Sequence, residues 1–149
     1  MRKILLVISI IAFALTTGIS MAQVKPEDAI KYRKAVYTVI GWNFTPMAAM
    51  VKGEKPYNKE AFARHAAIVE QLSKLPMEGF TPGSDKGDTK TKPETWAKMD
   101  DFKVRMEKMQ AETSKLANLA KGGDWNAIKT QFGVTGSACK DCHDDYRNK

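Results

Sequence analysis

From Trp125 onward the chain repeats its interior-type residues three and four positions apart: Trp125, Ile128, Phe132, Thr135, Cys139, Cys142 and Tyr146. That rhythm lays all seven along one stripe of an α-helix and excludes a strand, whose faces alternate at every second residue. It is an a/d seam, the pattern by which a helix packs lengthwise against neighbours. Asp124 stands where an N-cap belongs. Gly133 and Gly136 interrupt the seam's flank and lower helix propensity, yet a residue without a side chain also lets a backbone or a flat molecule approach closely.

Both cysteines of the chain lie on this seam, and His143 follows the second, giving Cys139-Lys140-Asp141-Cys142-His143 six residues before the end. C-x-x-C-H is the attachment signature of a c-type haem, in which two thiols add to the porphyrin vinyl groups and the imidazole binds iron. Positions i, i+3 and i+4 share a helix face, so all three side chains can meet one flat macrocycle. A disulfide between the cysteines is the competing chemistry in an oxidising compartment. A thioredoxin-like dithiol would sit beside a βαβ pattern, which is absent, and a zinc site lacks a fourth ligand, since the other histidine, His65, is far upstream.

The beginning of the chain fits export. Arg2 and Lys3 precede an apolar stretch from Ile4 to Leu15 broken only by Ser9, and Ser20 and Ala22 are small residues at the positions a signal peptidase reads. That 12-residue stretch falls short of the roughly 20 that span a bilayer, so residues 1–22 read as a cleavable signal rather than a stable membrane anchor. Cleavage after Ala22 leaves 127 residues, 23–149, enough for one domain with one core. It removes two of the 24 basic residues and none of the 17 acidic ones, leaving a formal charge of +5 before any haem propionates subtract from it. That surplus favours acidic docking partners, while the lack of a basic block interleaved with aromatics gives nucleic-acid binding no support.

Three further segments show helical spacing. The first begins at Pro26, with Glu27 and Asp28 complementing the helix dipole, carries Ala29, Tyr32, Val36, Val39, Ile40, Met47 and Val51, and stops at Gly53. Pro46 removes a backbone donor inside it and predicts a kink. The second, capped by Asn58, is striped by Phe62, Ala66, Val69 and Leu72 and ends at Pro76. A loop rich in Pro, Gly, Ser, Thr and Asp follows as far as Lys92. Pro93 then opens a third helix, striped by Trp96, Met99, Phe102, Met106, Met109, Thr113, Leu116 and Ala120 and closed by Gly122 and Gly123. The expected fold is all-α, an antiparallel up-down-up-down four-helix bundle with covalently bound haem near one end.

Four helices with C-x-x-C-H almost at the C-terminus resemble cytochrome c′, the class II c-type cytochromes, a family of up-down-up-down bundles. The marks are the opening from Lys25 to Arg33, Leu75-Pro76 followed by Phe80, and the ending from Phe132-Gly133 through the attachment motif to Tyr146-Arg147. The resemblance covers essentially all of residues 23–149. It implies that Cys139 and Cys142 are the thioether anchors of one haem c and that His143 is the proximal ligand. It also implies that Arg147 lies against the proximal face, that Arg33 neighbours the propionates, and that Tyr37 covers the distal face, with Phe80 limiting access. Low-spin relatives carry methionine at the position of Tyr37, whereas a neutral phenol with a pKa near 10 is a poor ligand. Met47, Met50, Met99, Met106 and Met109 at helical spacing read as core filler, and His65 as a satisfied or half-exposed surface histidine.

The expected function is therefore a periplasmic haem protein with mainly five-coordinate, high-spin iron that binds nitric oxide and carbon monoxide and passes single electrons. The alternative is a low-spin, six-coordinate electron carrier with an upstream methionine as distal ligand. Enzymatic turnover is not expected, because peroxidase chemistry needs a distal acid–base pair. The resemblance also implies a homodimer through the first two helices.

Overall fold

The structure, a computed structural model, describes residues 24–149; the signal-peptide reading of residues 1–22 lies outside the described residues. The chain forms helices α1 (Pro26–Val51), α2 (Lys59–Leu72), α3 (Glu94–Ala97), α4 (Met99–Gly122) and α5 (Trp125–Tyr146), with a 3₁₀ turn at Pro76–Gly79. The four long helices pack in chain order, α1 on α2, α2 on α4 and α4 on α5, as an antiparallel four-helix bundle. By contrast α1 and α5 barely meet. No described helix is long and apolar enough to cross a membrane.

Local chemistry explains the helix starts. Asn58 Oδ1 accepts the Ala61 N–H at 2.8 Å, and Asp124 Oδ2 accepts those of Asn126 and Ala127 at 2.9 and 3.2 Å, so each side chain satisfies donors the first turn leaves free. Helix α1 passes through Pro46 without ending there. Just before it, Asn43 and Thr45 side chains donate back to the Val39 and Gly41 carbonyls at 2.9 Å.

The third helix departs from expectation at its start. Pro93 opens only the single turn α3, and at Lys98 the backbone leaves helical geometry, with φ −122° and ψ 42°, before α4 begins. Trp96 thereby sits on a separate turn, its Nε1 donating to the Thr81 carbonyl at 3.1 Å. In α1 the expected stripe is only half right. Ala29, Val36 and Met47 are buried, but Val39 and Tyr32 are exposed, while Ile30, Arg33, Asn43 and Met50 take up interior places.

Two clusters divide the interior. One, made by the C-terminal half of α1, α2 and the α4–α5 turn, joins Met47, Met50, Phe62, Ala66, Val69, Leu116, Ile128 and Phe132. Its aromatic rings interlock, with Phe44 stacked on Phe132 at 4.4 Å and Tyr57 on Trp125 at 3.9 Å. The other gathers Phe80, Phe102, Met106, Met109 and Tyr146 at the opposite end, with Tyr37, Cys139 and Cys142 packed against it.

Candidate functional site

A cavity of about 640 Å³ is walled by α1, α4, α5 and the loop that precedes α3. Its wall is mostly apolar, and Cys139, Cys142, His143, Arg33, Tyr37, Phe80 and Arg147 all line it. Every residue singled out in the sequence as a haem neighbour thus borders one space. The volume suits a drug-sized or cofactor-sized occupant.

Helix α5 carries the C-x-x-C-H motif. Cys139 and Cys142 are half-buried free thiols, and burial pushes both up, Cys142 to about 11, so each is a neutral thiol at pH 7. His143 stands at the rim, and partial burial together with the Arg147 charge lowers its imidazole below the ordinary value. A neutral ring is the form that ligates a metal. Gly136, one turn before Cys139, also lines the cavity, and a Cβ there would meet open space. A flat group can therefore lie close along α5 at this point.

Opposite stands Tyr37 on α1. Its hydroxyl donates to Met106 Sδ at 3.6 Å, and burial, the largest cause, raises its phenol well above the ordinary range. It is a neutral donor here, and the thioether of Met106 is already its acceptor. Met47 and Met50 belong to the other cluster, and His65 on α2 bonds Asn43 through Nδ1 at 2.9 Å, remote from the cavity wall.

Arg33, expected as a neighbour of the propionates, is buried, 2 % exposed, and both terminal nitrogens of its guanidinium are engaged by the protein itself. One guanidinium nitrogen donates to the Gly79 carbonyl and Ser84 Oγ at 2.7 and 2.8 Å, the other to the Ser84 carbonyl and Thr89 Oγ1 at 2.7 and 2.9 Å. Its carbon lies 4.9 Å from the Phe80 ring centre and 5.4 Å from that of Trp96. The approach is possible because residue 79 is glycine: a Cβ there would come within 2.8 Å of Arg33 Cβ. Arg33 thus ties the loop after the 3₁₀ turn to α1 and fixes Phe80 at the cavity edge. Among the described residues no carboxylate partners it, so a buried positive charge faces the cavity margin without a counter-ion.

The far side of the loop is tied to the end of α5. Lys92 N–H donates to the Tyr146 carbonyl, Asn148 N–H donates to the Lys90 carbonyl, and Thr91 and Arg147 form an antiparallel bridge. Arg147 is exposed, lining both the cavity and the shallow groove beyond His143. Sequence reasoning placed Tyr146 on the α5 seam but not at the site. It is 5 % exposed, lines the cavity one turn beyond Cys142, and bonds Asp101.

The family model for cytochrome C′ matches residues 28–147. The chain belongs to the cytochrome c′ family. Cytochrome c′ of Rubrivivax gelatinosus is 43 % identical over 126 residues, covering 84 % of this chain and 98 % of that protein. Cytochrome c′ of Allochromatium vinosum is 34 % identical over 145 residues, covering 94 % and 93 %. Among solved structures, cytochrome c prime from Shewanella frigidimarina superposes with a TM-score of 0.83 at 44 % identity, covering 85 % of this chain and 99 % of that one. A nitric oxide complex of a mutant cytochrome c prime from Alcaligenes xylosoxidans superposes with a TM-score of 0.79 at 36 % identity, covering 85 % and 98 %. Proteins of the cytochrome c′ family carry covalently bound haem c. The residues here fit that group: two thiols one turn apart, a neutral imidazole beside them, an apolar cavity of suitable size and a buried cation lacking a carboxylate.

Proposed function

We propose that the chain is exported, loses residues 1–22, and works in the periplasm as residues 23–149. One haem c is held by thioethers to Cys139 and Cys142, with His143 as axial ligand. Haem supplies the iron that binds a diatomic gas and gains or loses single electrons. Tyr37 covers the opposite face without ligating it, leaving the iron mainly five-coordinate and high-spin and accessible to nitric oxide and carbon monoxide. Arg33 supplies the propionates with positive charge, Phe80 narrows the approach, and Arg147 lies on the proximal side.

The observation that carries this reading is Tyr37, a phenol kept protonated by burial and already engaged by Met106. A ligating phenol would have to lose its proton inside an apolar wall, which costs more the more deeply it is buried. The nitric oxide complex of the Alcaligenes relative supports the gas ligand. Single-electron exchange with periplasmic partners of acidic docking surface is the companion role, in keeping with the basic balance of the chain.

The test is the optical and EPR spectrum of the ferric and ferrous holoprotein with two variants. Tyr37→Ala is expected to stay high-spin and to bind carbon monoxide faster, because the barrier removed is steric. Tyr37→Met is expected to move toward six-coordinate, low-spin iron and to bind carbon monoxide more weakly. A wild type already low-spin and indifferent to carbon monoxide would sink the reading in favour of a methionine-ligated electron carrier.

Exposed apolar residues on the first two helices support pairing of two copies. Val39 and Trp42 of α1, the latter 78 % exposed, and Ile68 of α2 are apolar surface in the single chain. Sedimentation velocity is expected to give a dimer that Trp42→Lys weakens.

A further inference from the structure

Two tyrosines border the cavity, and their hydroxyls have different partners. Tyr37 donates to a thioether, which cannot take its proton. Tyr146 donates to Asp101 Oδ2, a carboxylate that is half-exposed and can pass a proton on to water. The Tyr146 ring is buried edge-on against Phe102, with centroids 5.2 Å apart and planes at 78°. It follows Cys142 by one helical turn on the same face, so it stands next to the point of covalent attachment. Arg105 completes the cluster, bonding Asp101 at 2.9 Å and Asp145 at 2.7 Å, with its guanidinium 5.7 Å from the Tyr146 ring.

We propose that Tyr146 and Asp101 form a redox-active pair, in which Tyr146 surrenders one electron to an oxidised haem and its phenolic proton to Asp101. The inference rests on the haem site proposed above. The oxidant is a peroxide: hydrogen peroxide would take two electrons from ferric haem, one of its oxygens leaving as water with both protons and the other staying with the oxidised haem. One of those electrons is then replaced from the Tyr146 ring. The O–H bond of Tyr146 breaks, the proton forms a new O–H bond on Asp101, and a neutral tyrosyl radical remains. A phenol that has lost an electron is a strong acid, so a carboxylate held low by the phenol itself and by Arg105 still accepts its proton. Arg105 keeps a carboxylate partner in Asp145 when Asp101 is neutralised.

Trp96, a third oxidisable ring at this end, is worse placed. Its N–H points at a peptide carbonyl, which is no proton acceptor, and the Arg33 cation 5.4 Å away opposes positive charge on the ring. The cluster therefore reads as an outlet for oxidising equivalents that would otherwise attack the porphyrin, a protective event without turnover.

The experiment uses the ferric holoprotein with two oxidants and rapid-freeze EPR. Hydrogen peroxide requires an open iron; a flash-generated ruthenium(III) polypyridyl complex does not. In a background with Tyr32, which donates to Glu78 Oε2 at 3.0 Å, and Tyr57 both changed to Phe, a tyrosyl signal is expected with both oxidants, lost in Tyr146→Phe, retained in Tyr37→Phe and reduced several-fold in Asp101→Asn, which keeps an acceptor but not the base. Peroxide bleaching of the Soret band is expected to be faster in Tyr146→Phe. If peroxide leaves the Soret band unchanged while the ruthenium signal depends on Tyr146, the pair stands and the open-iron reading falls. If peroxide shifts the Soret band but Tyr146→Phe keeps the radical, or if the ruthenium signal survives Tyr146→Phe, the pair is overturned.

Discussion

At one end of the bundle Phe62, Phe132, Phe44 and Trp125 interlock directly, while at the other Phe80, Phe102 and Tyr146 stand around a cavity of about 640 Å³. Both ends use aromatic rings and methionines on the same four helices. The first end is closed by stacked rings that join two helices or a helix and a loop, Phe44 on Phe132 and Tyr57 on Trp125. At the second end Phe102 also touches Phe80 and Tyr146, but those rings form part of the cavity wall, with Tyr37 of α1 and Cys139 and Cys142 of α5. Protein interiors are close-packed, so a mostly apolar space of this size suits an occupant of matching dimensions. The bundle is thus a self-sufficient core joined to a socket.

Removing haem tests that difference most severely. Core truncations that leave cavities typically cost ~2–5 kcal/mol, and a missing macrocycle removes more contact than one side chain. The apoprotein, or a variant with both cysteines changed to serine, is expected to keep its helical far-UV signal and lose much of its near-UV signal. Hydrogen exchange is expected to rise at 99–109 and 139–146 before it rises at 61–69 and 116–128. Equal protection at the two ends would break the comparison.

Phe62→Ala strikes the closed end. Phe62 has no solvent exposure and meets Tyr57, Trp125 and Phe132, so a loss of ~3–5 kcal/mol is expected in denaturant unfolding of the holoprotein. The visible spectrum should not change. A shifted Soret band would mean that the two ends are one mechanical unit.

Arg33→Met removes the cation that ties the loop down, leaving the Gly79 and Ser84 carbonyls without their donors. A net cost of ~2–4 kcal/mol is expected, from hydrogen bonds to a charged group worth roughly 1.5–3 kcal/mol each, offset by the apolar replacement. Unlike Phe62→Ala it should also alter ligand access, read as faster carbon monoxide association. Asn58→Ala, at the start of α2 in the closed end, is expected to cost ~1 kcal/mol and nothing in the haem spectrum.

The elements most legible in the sequence are those whose physics is local. Asn58 and Asp124 cap the helices that follow them as their residue types require, and the α5 seam is helical from Trp125 to Tyr146. The attachment motif is readable because the i, i+3, i+4 geometry is intrinsic to a helix. Tyr32 and Val39 mislead because apolar character does not say which side of α1 the other helices occupy; both lie on the outside. Arg33 and Asn43 are invisible for the converse reason. Their burial is decided by acceptors that other segments bring, the Gly79–Thr89 loop for Arg33 and His65 for Asn43. The break at Lys98 likewise escapes periodicity, since Trp96 and Met99 keep helical spacing across it.

The three residues after Tyr146 are not a loose tail. Arg147 and Asn148 clasp Thr91 and Lys90, and so fasten the last chain segment to the loop that walls the socket. A peptide tag appended at Lys149 would pull on that clasp. Trimming the final residues with a carboxypeptidase should therefore act on the socket like loosening a drawstring, widening its mouth while the far end of the bundle stays shut.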